Sequence, residues 1–134
     1  MSRFKYQLPY CSNRIITPCV VDVSKYVHKN EDILECKRAL WDTGATVTVV
    51  SEILVNQLGL IPTGVKKVAG YDGKPVLRNV YKVDIMIDAD MRFSVNAIEA
   101  PLITTDILIG MDIIVQGDFC LERRNDDQIL RFEI

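Results

Sequence analysis

Residues 39–51 read ALWDTGATVTVVS, an apolar and β-branched run interrupted by one aspartate, Asp42. A carboxylate is a side chain for acid–base work on water and leaving groups. Set in an apolar run, it costs free energy unless something compensates it. Asp42 is followed by Thr43, Gly44 and Ala45 and is the only aspartate in an Asp-Thr-Gly or Asp-Ser-Gly context. Other reactive residues are sparse. Cys11, Cys19, Cys36 and Cys120 form no C-x-x-C pair and no disulfide-framework spacing, and the single histidine, His28, lies in the polar stretch HKNED. No metal site is therefore expected. Unpaired thiols and a start without a long apolar stretch predict a cytoplasmic location.

The elements that must position Asp42 are short. Residues 15–23, IITPCVVDV, read as a strand, with Pro18 near its beginning as on a sheet edge. Residues 24–32 form a polar connection. Residues 33–41 and 46–50 read as strands on either side of the Asp-Thr-Gly turn. Ser51 is placed as a helix N-cap, with Glu52 in the first turn and Leu54, Val55 and Leu58 on one face. Gly59 and Pro62 end that helix. Residues 65–76 predict a hairpin around Asp72-Gly73. Residues 80–87 alternate, with Tyr81, Val83, Ile85 and Ile87 on one face and Val80, Lys82, Asp84 and Met86 on the other. Further strands are predicted at 92–99, 106–109, 119–123 and 128–134, and a brief helical turn at 111–115. Residues 1–14 read as an N-terminal arm and 15–134 as one domain. Many short strands and little helix predict an all-β, barrel-like fold.

Three pieces stand in a set order: LWDTGATVTVVS, then AGYDG, then DILIGMDII. Together they resemble the retropepsin-like branch of the aspartic proteases, over roughly residues 15–134. The resemblance implies an acid-protease barrel with one or two short helices, forming one half of a two-fold dimer. It implies an aspartic endopeptidase acting on peptide or protein substrates without cofactor. Asp42 would be catalytic. One carboxylate would act as base on a water and a second, protonated one as acid on the leaving nitrogen. Like charges held close do not both ionise, so two carboxylates share a proton. This chain offers one such aspartate, so its partner must be Asp42 of a second copy, across a two-fold axis.

The same resemblance assigns the neighbours. Thr43 would send its hydroxyl across the dimer. Gly44 would bring its backbone close to the carboxylates. Ala45 offers no hydroxyl to stabilise the ionised pair, which predicts a mildly acidic to near-neutral optimum. Gly70, Tyr71, Asp72 and Gly73 would form the flap tip over bound peptide. Ile109 and Gly110 would pack beneath the catalytic loop. Retroviral members usually carry an acid after DTGA and an arginine after the late glycine. Here these positions are Thr46 and Met111, so both partners of that ion pair are absent together. Trp41 is bulky for its place and would fill the dimer interface or narrow the cleft. The final stretch QILRFEI would either interleave with the partner or be an internal strand.

Composition limits the alternatives. A chain of 134 residues with 49% hydrophobic and 25% charged residues can build one domain with a real core. A net charge of −2 supplies no basic footprint for nucleic acid. No apolar run reaches the roughly 18 residues of a membrane helix. Two other readings stay open here. One is a catalytically inactive module of the same fold that binds peptide or dimerises. The other is an unrelated β-barrel with Asp-Thr-Gly as a plain turn, which leaves ILIG and the hairpin unexplained.

Overall fold

A computed structural model of the chain describes residues 2–8, 10–27, 33–69 and 72–134. His28 and residues 29–32 of the predicted polar connection, and Gly70 and Tyr71 of the predicted flap tip, lie outside the described residues. Alternating apolar residues generate two sheets. The larger sheet runs β2 (Ile16–Asp22), β3 (Ile33–Trp41), β8 (Ile107–Ile109), β4 (Val49–Ser51), β7 (Met91–Ala100) and β6 (Pro75–Asp88). β6 pairs back onto β2, so these strands close a barrel. β5 (Gly64–Ala69) pairs only with the first part of β6, making a hairpin that projects from the barrel. The inward residues Val21, Val83, Ile85, Ala97, Ile107 and Ile109 are fully buried. The all-β reading with two short helices is borne out.

Local signals explain the helices. In α1 (Glu52–Leu58) the Leu54 amide donates to the Ser51 hydroxyl, and Gly59 closes the helix in the left-handed conformation. α2 (Met111–Ile114) is a single turn after Gly110. No helix among the described residues is long and apolar enough to cross a membrane.

Pro18 stands where β2 is open on one side, as expected of an edge, because among the described residues β6 pairs with β2 only from Val20 to Asp22. It sits at a bulge between Thr17 and Cys19, where its missing N–H interrupts no ladder. Other expectations change. Residues 46–48 are not strand, since β4 begins at Val49. Asp84, on the polar face of β6, is buried beneath Lys25, Tyr26 and Arg92. The segment read as an arm contains a strand, β1 (Arg3–Leu8), with Phe4 and Leu8 buried.

β1 belongs to the second sheet, of order β1–β10–β9, with β9 at Asp118–Arg124 and β10 at Asp127–Glu133. The β9–β10 hairpin turns at Asn125, whose φ is 54°. β10 is therefore an internal strand, flanked on both sides by its own chain. This decides the fate of QILRFEI: a strand with both edges filled cannot accept a partner strand.

Candidate active site

Asp42 leaves the end of β3 just as the strand stops. Its amide donates to the Ile109 carbonyl at 2.9 Å, and its carbonyl accepts from the Ala45 amide at 3.2 Å, closing a tight turn. The carboxylate is half-buried rather than enclosed. Its Oδ1 accepts from the Gly44 amide at 2.9 Å, which compensates part of its desolvation. A Cβ on Gly44 would lie 3.2 Å from that same oxygen. Thr43 is exposed and Ala45 half-buried.

β8 holds this turn from below. It runs parallel to β3, with Trp41 opposite Ile109, and antiparallel to β4, with Val49 opposite Leu108. It is thus threaded between the two strands that flank the Asp-Thr-Gly loop. Ile109 is fully buried. Gly110 lies so close to the loop that a Cβ would come within 2.5 Å of the Val47 carbonyl group. The Met111 amide donates to the Ala45 carbonyl at 2.8 Å.

Two residues that sequence reasoning passed over complete this support. The Thr48 hydroxyl donates to Asp112 Oδ1 at 2.8 Å and accepts from the Gly110 amide at 3.2 Å. The Thr48 amide donates to Asp112 Oδ2 at 3.0 Å. Asp112 therefore ties α2 to the loop. Thr46 and Met111 carry no charge, and the polar tie lies at Thr48 and Asp112 instead. An acid two residues after the ILIG glycine, at the start of a helix, was the available signal.

Trp41 neither narrows the cleft nor stands in it. Consecutive residues of a strand point to opposite faces, so Trp41 turns away from Asp42 and is only 6% exposed. Its ring packs on Phe4 of β1, Phe119 of β9 and Phe132 of β10, with centroids 6.3, 5.6 and 5.2 Å away. Its indole N–H donates to the Thr17 hydroxyl at 2.9 Å. The three-stranded sheet is thus the floor beneath the loop.

Above the loop lies a hollow of about 320 Å³, bounded by Ala45, Val47 and Val49 on one side and Val68, Val76 and Arg78 of the β5–β6 hairpin on the other. The lining is mainly apolar, as suits a site that takes up side chains. Residues 70–74 connect the two hairpin strands. Gly73 has a φ of 75°, and the Asp72 carboxylate accepts from the Lys74 amide at 3.0 Å. The hairpin thus faces the loop across the hollow, with Asp72 and Gly73 at its outer end. Among the described residues no group of three or more His, Cys, Asp or Glu is placed to hold a metal ion.

Comparison with known proteins agrees with this architecture. The family model described as "Aspartyl protease" matches residues 30–113, which span β3, the loop, the hairpin and β8. No curated protein matches the chain. Among solved structures, a retropepsin-like aspartic protease from Rickettsia conorii aligns over 100% of this chain and 97% of that one. The identity is 14% and the TM-score 0.54, a likeness of fold. The chain belongs to the aspartyl protease family and has a retropepsin-like fold.

Proposed function

We propose that this protein is a homodimeric aspartic endopeptidase whose catalytic pair is Asp42 and the partner's Asp42. The observation that carries the reading is the placement of Asp42. It is half-buried, fixed by the Gly44 amide and bonded to the Ile109 carbonyl, in a turn whose next residues, Gly44 and Ala45, line the apolar hollow. One carboxylate takes a proton from a water as its oxygen attacks the peptide carbonyl carbon. The other supplies a proton, and the amine leaves after protonation of the amide nitrogen. Two carboxylates sharing one proton supply both roles, and the reaction needs no metal or organic cofactor. Thr43 reaches across to the second loop. The β5–β6 hairpin, with Gly70, Tyr71, Asp72 and Gly73 at its tip, covers an extended peptide and grips it as an added strand.

The test compares cleavage of a mixed peptide library by the wild type and by Asp42→Asn at pH 4–7. A transition-state inhibitor of aspartic proteases serves as a control. The wild type is expected to cut in an inhibitor-sensitive way. Asp42→Asn, with unchanged thermal stability, is expected to lose at least a thousandfold in rate, since removing an essential acid–base group costs several powers of ten. Equal cleavage by the two forms would refute the mechanism. Cleavage by neither would favour a peptide-binding or dimerisation module.

A further inference from the structure

In the β5–β6 hairpin Lys66 stands directly opposite Arg78, and Val68 directly opposite Val76. Opposed residues share a face of the ladder, and so do residues two apart in one strand. All four side chains therefore lie on one face. It is the face toward the Asp-Thr-Gly loop, since Val68, Val76 and Arg78 line the hollow of about 320 Å³ together with Ala45, Val47 and Val49. Among the described residues of that lining Arg78 is the one that carries a charge. It is half-buried, and Lys66 beside it is exposed.

Two features of this pair are unfavourable for the chain alone. Like charges directly opposed in an antiparallel ladder destabilise it. A guanidinium partly withdrawn from water also lacks compensation unless an anion meets it. Among the described residues neither Arg78 nor Lys66 makes an ion pair or a side-chain hydrogen bond. The acids of the neighbourhood are engaged by other groups. Glu99 accepts from Asn79 and Tyr81, whose odd positions on β6 put them on the opposite face. Asp112 is held by Thr48, Asp72 by the Lys74 amide and Asp42 by the Gly44 amide. At the barrel seam, by contrast, Arg92 is matched by Asp22 and Asp84. The hairpin thus presents to the hollow a positive charge that the described chain leaves unmatched.

We infer that Arg78, supported by Lys66, selects peptides that place an acidic side chain in the hollow above the Asp-Thr-Gly loop. This inference rests on the peptidase reading and names the substrate class for it. The apolar walls take the methylene stem of a glutamate, and the guanidinium takes its carboxylate. Arginine suits this role because its planar fork can donate two parallel hydrogen bonds to a carboxylate. Lys66 adds a second positive charge, so a bound anion also relieves the repulsion across the hairpin. Arg78 is a specificity-determining residue and takes no part in the proton transfers assigned to Asp42.

The test starts from cleavage of a random library of amidated peptides by the full chain, with the cut sites read by mass spectrometry. Amidation removes the terminal carboxylate as a competing anion. Glutamate or aspartate is expected to be enriched at one fixed position relative to the cut. Paired peptides with Glu or Gln at that position then give kcat/KM for each. The wild type is expected to favour Glu about tenfold, as one charge-assisted contact does. Arg78→Gln is expected to bring the ratio within about twofold, and Arg78→Glu to reverse it in favour of Gln. Salt at about 1 M should lower the wild-type ratio by screening the charges. Each ratio is read within one protein, so any loss of folded material cancels from it. A library cut without acidic enrichment, or an Arg78→Gln variant that keeps the full preference, overturns the assignment and leaves the peptidase reading intact. If the wild type cuts nothing, the peptidase reading fails and binding decides the assignment. The same library is then passed over the immobilised wild type and Arg78→Gln. Acidic peptides retained by the wild type alone support the role of Arg78, and retention without acidic enrichment, or no retention, overturns it.

Discussion

Two glycines of the site are there for reasons of space, and they differ in how much room they leave. The Cβ that any other residue would bring at Gly44 meets the Asp42 carboxylate at 3.2 Å, and that side chain can give slightly. At Gly110 the obstacle is backbone: the Val47 carbonyl at 2.5 Å and the Thr48 amide at 2.8 Å. Neither can move without moving the Asp-Thr-Gly loop. Gly110→Ala is therefore expected to destabilise the fold by about 3 kcal/mol, as overpacking of a closed interior does. A denaturant titration reads this as a lowered midpoint with an unchanged slope. Gly44→Ala, by the same reasoning, disturbs the carboxylate more than the fold. Thr48 belongs to this scale too. Its hydroxyl donates to Asp112 and accepts from the Gly110 amide while its own amide donates to the second Asp112 oxygen, so one buried residue joins the loop, the glycine that follows β8, and α2.

At the scale of elements, the join between β2 and β6 is the place where the barrel closes, and a charged cluster secures it. Asp84 accepts from Ser94 at 2.7 Å, from Tyr26 at 2.8 Å and from Arg92 at 2.9 Å, and lies 3.0 Å from the Lys25 ammonium. The same Arg92 nitrogen reaches Asp22 of β2 at 2.9 Å. Burial alone would push the Asp84 carboxyl up. Hydrogen bonds from Ser94, Lys25, Arg92 and Tyr26 outweigh it and hold the group well below the usual carboxylate range. Asp22 is lowered as well, first by Ser24 and then by Arg92. A carboxyl depressed in the folded state binds fewer protons than in the unfolded chain. The stabilisation is thus complete above the ordinary carboxylate value of about 4 and is lost as pH falls through the folded one. Thermal unfolding followed from pH 7 to pH 3 should show the midpoint falling in the acid range. Asp84→Asn should lose about 2 kcal/mol at pH 7 and depend less on pH there. An unchanged acid dependence in that variant would show that other carboxylates govern it.

For the whole molecule, one chain forms both the closed barrel and its floor sheet. One chain supplies one Asp42, so under the proposed mechanism activity belongs to the dimer. Initial rates should rise with the square of protein concentration below the dissociation constant of the dimer and linearly above it. A linear dependence throughout, in a range where sedimentation shows monomer, would contradict a shared pair. The same assembly should work best in mildly acidic to near-neutral solution, because Ala45 brings no hydroxyl to the ionised pair. A strongly acidic optimum is also opposed by the fold, since the Asp84 cluster loses its contribution there.

Much of the site was legible in order along the chain. Asp42, Gly44, Ile109 and Gly110 are marked by residue type and by their apolar neighbours. Ser51 and Gly59 mark a helix by capping chemistry that is local to a few residues. Alternation placed Tyr81, Val83, Ile85 and Ile87 inward because a strand has a fixed period of two. What failed depended on partners distant in sequence. Asp84 looks solvated until Lys25, Tyr26 and Arg92 gather over it. The terminal stretch could be free or paired until β1 and β9 fill both its edges. Trp41 is the clearest case. Its bulk beside Asp42 is visible in the sequence, but the direction of its ring follows from strand geometry, and its partners Phe4, Phe119 and Phe132 come from both ends of the chain. The sequence by itself determined Asp42 as the candidate, because that rests on residue identity and on its being the one aspartate before Thr-Gly or Ser-Gly. Only the tertiary structure decided which strands are internal and, among the described residues, which lie at an edge, because pairing is a property of neighbours that the chain brings together from afar.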